Sequence, residues 1–316
     1  MYKLTTMMIL LALACGGPPG GPRTAPTPPK MPSALLVEQV IEGQVRGQPL
    51  SNPAGLAAAP DGVVYLADNG NHRLIRFDST LKPTHEIGGY GFSAGLLNRP
   101  TYIALDNSLN LWVTDEGNRR IVRYDARLNF VDEIELRDED DPFKFGRPAG
   151  VAVTAYGEVW VADADQDRIA LFDNAGKFDR FLGEFGYSGG QLRDPEKITG
   201  LPDGDFVVAD AGNSRLVFYD SYGGFHRESG KTGLVEPIAA AYDGDYLWVL
   251  EASGKRVVCL DMAGRRQFMT VPLVLGNRMG LNQSRDIAAL PDGRLIIADG
   301  GNNRLVVCRI VYDESE

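Results

Sequence analysis

The chain has 316 residues, 44% of them hydrophobic, with 42 acidic against 32 basic side chains and a formal net charge of −10. The length supports a packed core, and the acidic balance argues against a nucleic-acid partner, which would meet a basic face. Three histidines and three cysteines leave little for a histidine-rich zinc centre or a disulfide framework.

The first element is "MYKLTTMMILLALAC". Lys3 followed by the apolar run 4–14 reads as a secretory signal over residues 1–14. "ALAC" looks like a bacterial lipoprotein cleavage box, which predicts lipid on Cys15. Several acyl chains there would anchor the protein durably. Residues 15–34, rich in Gly and Pro, read as a semi-extended tether. The expected location is the bacterial cell envelope, with attachment to a membrane through Cys15, the outer membrane if the host has one.

From residue 35 the chain repeats itself. "ADNGNHRLIRFD" (67–78) returns as "TDEGNRRIVRYD", "ADADQDRIALFD", "ADAGNSRLVFYD", "LEASGKRVVCLD" and "ADGGNNRLVVCR". The acids are Asp68, Asp115, Asp163, Asp210, Glu251 and Asp299, at steps of 47, 48, 47, 41 and 48 residues. Each is followed five residues later by an arginine: Arg73, Arg120, Arg168, Arg215, Arg256 and Arg304. A period of this size signals a repeat architecture. Within each unit, runs such as "PAGLAA", "VVYLAD", "RLIRFD" and "THEIGG" are divided by Gly, Asp, Asn and Pro, as strands are by turns. No 3.6-residue apolar period supports a structural helix. The reading is an all-β, six-bladed β-propeller of four-stranded antiparallel blades. The sixth unit stops after its third strand, while "LLVEQVIE" (35–42) has no unit of its own. That N-terminal strand is expected to complete blade 6 and close the ring, a monomeric domain over 35–313.

The Pro-x-Gly-Ile/Val-Ala starts, the Asp-x-x-Asn-x-Arg-Ile/Leu cores and the Gly-x-Phe/Tyr-Gly links resemble the NHL-repeat family. Asn71-His72-Arg73-Leu74 comes nearest to its wording. The resemblance implies the same propeller and leaves the function open. The six acid–arginine pairs are then architecture, each fixing the corner between second and third strands, and His72 is a surface turn residue.

Enzymes on propellers like these, among them amidating lyases and gluconolactonase-type hydrolases, hold a metal on the axis. Here the innermost runs are small and apolar, and His72, His85 and His226 lie outside them. No cofactor and no metal are therefore expected. The acidic run 138–141 in the link before blade 3 reads as a solvated loop, with calcium or a basic partner as the alternative. Cys259 and Cys308, on third strands of neighbouring blades, read as buried free thiols.

Departures from the repeat locate the candidate site. Where other blades start their first strand with small residues, three offer Thr101-Tyr102, Glu196-Lys197 and Arg285-Asp286, near Arg99, Arg147 and Arg193. Arg99, Tyr102, Arg147, Glu196, Lys197, Arg285 and Asp286 form the expected ligand-binding rim around the axial opening, unless they serve only to pair with one another. The sequence thus predicts a non-catalytic envelope lipoprotein binding a protein, peptide or glycan through its top face. The alternative is a metal-dependent lyase or hydrolase centred on the axial mouth.

Overall fold

In the computed structural model the described residues are 31–136, 145–230, 233–252, 255–262, 269–271, 273–274 and 280–312. The predicted signal, Cys15, most of the tether and the acidic run 138–141 lie outside them.

Six antiparallel sheets follow one another along the chain. Blade 1 is Pro53–Ala58, Val64–Asp68, Arg73–Phe77 and Pro83–Gly88, counted from the axis outward. Blade 2 starts at Pro100–Leu105, blade 3 at Pro148–Val153, blade 4 at Pro195–Gly200, blade 5 at Pro237–Tyr242 and blade 6 at Asp286–Ala289. Second strands such as Val64–Asp68 and Val159–Asp163 are buried at every position, because each is covered by a blade on both faces.

Side chains alternate between those faces, so neighbouring residues feed different cores. Leu56 packs with Ala288 and Ile296 of blade 6, while Ala57 packs with Ile103 and Val113 of blade 2. Six apolar clusters result, one at each blade interface, including blade 6 against blade 1. The ring is closed. Its sixth blade is finished by the N-terminal strand Pro32–Ile41, antiparallel to Arg304–Tyr312, with Leu35 opposite Ile310 and Val40 opposite Val306. This strand begins at Pro32, inside the segment read as tether. A short strand, Leu273–Val274, then pairs parallel to Leu35–Leu36 and adds a fifth strand to that blade. Its pairing depends on the N-terminal strand, far away in sequence, so the fifth strand could not be read from this segment alone.

The repeated acids and arginines form ion pairs in all six blades: Arg73–Asp68 at 2.8 Å, Arg120–Asp115 at 2.9 Å, Arg168–Asp163 at 3.2 Å, Arg215–Asp210 at 2.7 Å, Arg256–Glu251 at 2.5 Å and Arg304–Asp299 at 2.7 Å. Each carboxylate also accepts a backbone N–H from the link entering its blade: Ser51, Asn98, Gly146, Arg193, Val235 and Asn282. That donor lies 17 residues before every aspartate and 16 before Glu251, so the extra methylene of Glu251 accompanies a shorter connection. The arginines hold link carbonyls too, as Arg120 does at Phe92 (3.0 Å) and Leu96 (2.8 Å). The pair therefore staples the inter-blade link to the turn, fixing what surrounds the mouth.

Candidate functional site at the axial mouth

Six innermost strands crowd the axis, and small and large residues alternate around it. At the third position of each repeat opening, counted from Pro53, Pro100, Pro148, Pro195, Pro237 and Ser284, blades 1, 3 and 5 carry Gly55, Gly150 and Ala239, whereas blades 2, 4 and 6 carry Tyr102, Lys197 and Asp286. A Cβ on Gly55 would overlap the Thr101 carbonyl oxygen, and one on Gly150 would overlap that of Glu196. The glycines let the strands approach, and the space they leave is filled from the even blades. One position earlier the alternation is of apolar against polar residues, with Ala54, Ala149 and Ile238 against Thr101, Glu196 and Arg285.

The large residues pair across the axis, skipping a blade. The Tyr102 hydroxyl donates to Glu196 Oε2 at 2.6 Å. Arg147 Nη2 donates to Glu196 Oε1 at 2.9 Å and to Asp194 at 3.0 Å. Deeper, Lys197 Nζ meets Asp286 Oδ1 at 2.6 Å and the Ile287 carbonyl at 3.1 Å. Asp286 Oδ2 accepts the Leu56 N–H at 2.8 Å. Burial pushes the Glu196 and Asp286 carboxyls above their ordinary range, against the pull of Arg147 and Lys197 respectively. Burial and the charge of Glu196 raise Tyr102 well above a free phenol.

Above this layer lies a cavity of about 370 Å³, lined by Asn52, Asn69, Arg99, Thr101, Tyr102, Glu116, Arg147, Glu196 and Arg285 with Ala54. Of the predicted rim, Arg99, Tyr102, Arg147, Glu196 and Arg285 are thus brought together. Lys197 and Asp286 are not at the rim: both are buried, and Lys197 faces a second cavity at the other end of the axis. Arg193 does not line the mouth. The sequence reading missed Asn69 and Glu116, which follow the blade acids where blades 3 and 4 have Ala164 and Ala211. The same departure from the repeat was visible there.

Two of the three mouth arginines are neutralised. Arg99 pairs with Glu116 at 3.0 Å, and Arg147 with Glu196 and Asp194. Arg285 is exposed and has no ion pair among the described residues. His72 holds the link that carries Arg99: its Nδ1 accepts the Arg99 N–H at 3.0 Å, as Asp167 does for Asp194 and Asn303 for Asn52. Among the described residues no three His, Cys, Asp or Glu side chains are grouped as metal ligands.

The NHL repeat family profile matches residues 50–77, the first three strands of blade 1 and the link before them. Protein brain tumor of Drosophila melanogaster is 39% identical over 56 residues, which is 18% of this chain and 5% of the fly protein. Among solved structures, a streptogramin B lyase superposes with a TM-score of 0.63 at 15% identity, covering 86% of this chain and 98% of the lyase. A luciferin-regenerating enzyme superposes with a TM-score of 0.61 at 13% identity, covering 86% and 95%. At such identities the likeness is one of fold. It nevertheless corrects the expectation that the protein is not an enzyme, because rings matched over nearly their whole length carry out catalysis. Small apolar innermost strands and scarce histidines were too weak a ground for that exclusion.

Proposed function

We propose that this six-bladed NHL-repeat propeller recognises a carboxylate-bearing ligand, the end of a peptide or an acidic glycan, in its axial mouth. The observation that carries the reading is Arg285: a guanidinium on the cavity wall without an ion pair among the described residues, beside two arginines whose charge is already matched. A planar fork of donors suits a carboxylate, and the concave, polar-lined cavity is of a size for part of such a chain. On the sequence reading, lipid on Cys15 and the tether would hold this mouth within reach of envelope partners.

Catalysis at the same mouth is a second reading. Glu196, its carboxyl raised by burial and accepting the Tyr102 hydroxyl at 2.6 Å, is a group able to give or take a proton beside arginines that would hold a substrate. The lyase-bearing fold supports this reading and does not carry it.

The test is a calorimetric titration of the full chain with trialanine and its C-terminal amide, and with oligogalacturonate and its methyl ester. The forms with a free carboxylate should bind and the amide and ester should not, with Arg285→Ala weakening the carboxylate form at least about tenfold. Equal behaviour of free and blocked carboxylates would sink the proposal. Mass spectrometry of the same mixtures reads turnover, which Tyr102→Phe should abolish if the second reading holds.

A further inference from the structure

The other end of the axis holds a second cavity, of about 430 Å³. Its walls come from the far ends of the innermost strands, with Leu56, Ile103, Val153, Ile198, Tyr242 and Ile287 among them. Gly200 is exposed there, and Ala58, Leu105, Val153 and Ala289 are half-buried, so this end meets solvent. Among its lining residues Lys197 is the one ionised side chain. The two lining hydroxyls are occupied, Thr199 donating to the Ala240 carbonyl at 2.8 Å and Tyr242 to that of Gly244.

An ammonium has three donors. Lys197 gives one to Asp286 and one to the Ile287 carbonyl, which leaves one N–H. Its charge is already balanced by Asp286, itself held by the Leu56 and Ile287 N–H groups. A carboxylate arriving here would bring an unmatched charge into an apolar chamber, where the lost hydration of the ion would not be repaid. A neutral carbonyl would accept the remaining N–H and bring no charge. Nor does stability account for the pair, since buried ion pairs give little net stabilisation over apolar residues of similar volume.

We infer that the lower axial cavity is a second binding site, for a neutral apolar molecule with one hydrogen-bond acceptor, such as a ketone, lactone or ester, oriented by Lys197. The site is separate from the mouth and does not depend on the carboxylate proposal. The two chambers take opposite chemistries, and the Tyr102–Glu196 and Lys197–Asp286 pairs lie between them.

Benzophenone is a neutral apolar ketone that inserts into nearby C–H bonds on irradiation, so it reports its own location. The full chain in detergent is irradiated with benzophenone and digested, and adducts are mapped by tandem mass spectrometry. Saturable adducts on the innermost strands, competed by acetophenone, are expected. 4-Benzoylbenzoate, the same ketone with a carboxylate, should label these strands about tenfold less. Ala289→Phe, which narrows the cavity and leaves Lys197 in place, should abolish the labelling, and Arg285→Ala should leave it unchanged. The double variant Lys197→Met/Asp286→Asn should lower labelling about tenfold; if it does not fold, Ala289→Phe and the benzoate comparison decide. Adducts scattered over outer strands, equal labelling by the anionic analogue, or labelling that survives Ala289→Phe would overturn the site.

Discussion

Asp163 lacks a donor that its counterparts have. Asn71, Asn118, Asn213 and Asn302 each donate Nδ2 to the acid of their blade at 2.7–2.9 Å, whereas blade 3 carries Gln166 at that position. Burial pushes Asp163 up to about 6, against the pull of Arg168 and the Gly146 N–H. A carboxyl raised on folding binds its proton more tightly in the native state, so its contribution is full below about pH 4 and is lost as pH rises through about 6. Urea unfolding at pH 5 and pH 7 should show this carboxyl adding about 1 kcal/mol at the lower pH. Gln166→Asn should flatten that difference relative to the parent, and an unchanged slope would refute the assignment. At the mouth, the Thr101 hydroxyl is buried and has no partner among the described residues. Thr101→Val, nearly isosteric, should therefore stabilise the fold by about 1 kcal/mol in the same assay. The acid–arginine pairs were legible from a five-residue spacing. The second partner of each acid, a link N–H, was not, because it depends on the path of a loop with no period of its own.

At the scale of the strand, the axis is governed by which side chains are missing. Gly55 and Gly150 sit where a Cβ would strike the neighbouring backbone, so the motif glycine is a matter of close approach between blades. Gly150→Ala should cost about 1–3 kcal/mol in urea unfolding, as overpacking does. Because the clash falls on the Glu196 carbonyl and the Lys197 Cα, the same change should weaken acid binding at the mouth, read by calorimetry. A variant as stable as the parent would mean that the strands have room to part. Blade number, strand order and the closing strand could all be read from the chain, since each repeats or completes a repeat. The odd–even alternation was half visible: three departures from "Pro-Ala-Gly" marked Tyr102, Lys197 and Asp286. Their depth was not visible, because a side chain that crosses the axis is buried by blades remote in sequence.

For the whole ring, closure rests on contacts between the two ends of the described chain. Ser33 Oγ donates to the Val311 carbonyl at 3.2 Å, 278 positions away, and Leu35 is fully buried in the core between blades 5 and 6. Without Pro32–Ile41, the strand Arg304–Tyr312 becomes a bare edge, a template for pairing with other chains. Two thiols report on this seam. Cys259 and Cys308 are buried and free, share the blade 5–6 cluster, and burial pushes both up to about 12. Thiols so protonated react slowly. A chain starting at Met31 keeps the closing strand, and its thiols should stay protected from a maleimide until global unfolding. A chain starting at residue 42 should react first at Cys308, which stands opposite Val37 in the latch, and should aggregate as concentration rises. Protected thiols and a cooperative transition in the shorter chain would mean that the six interfaces hold the ring without a latch. Early reaction would mean that closure by the strand is what keeps the axis, and both chambers along it, in a single geometry.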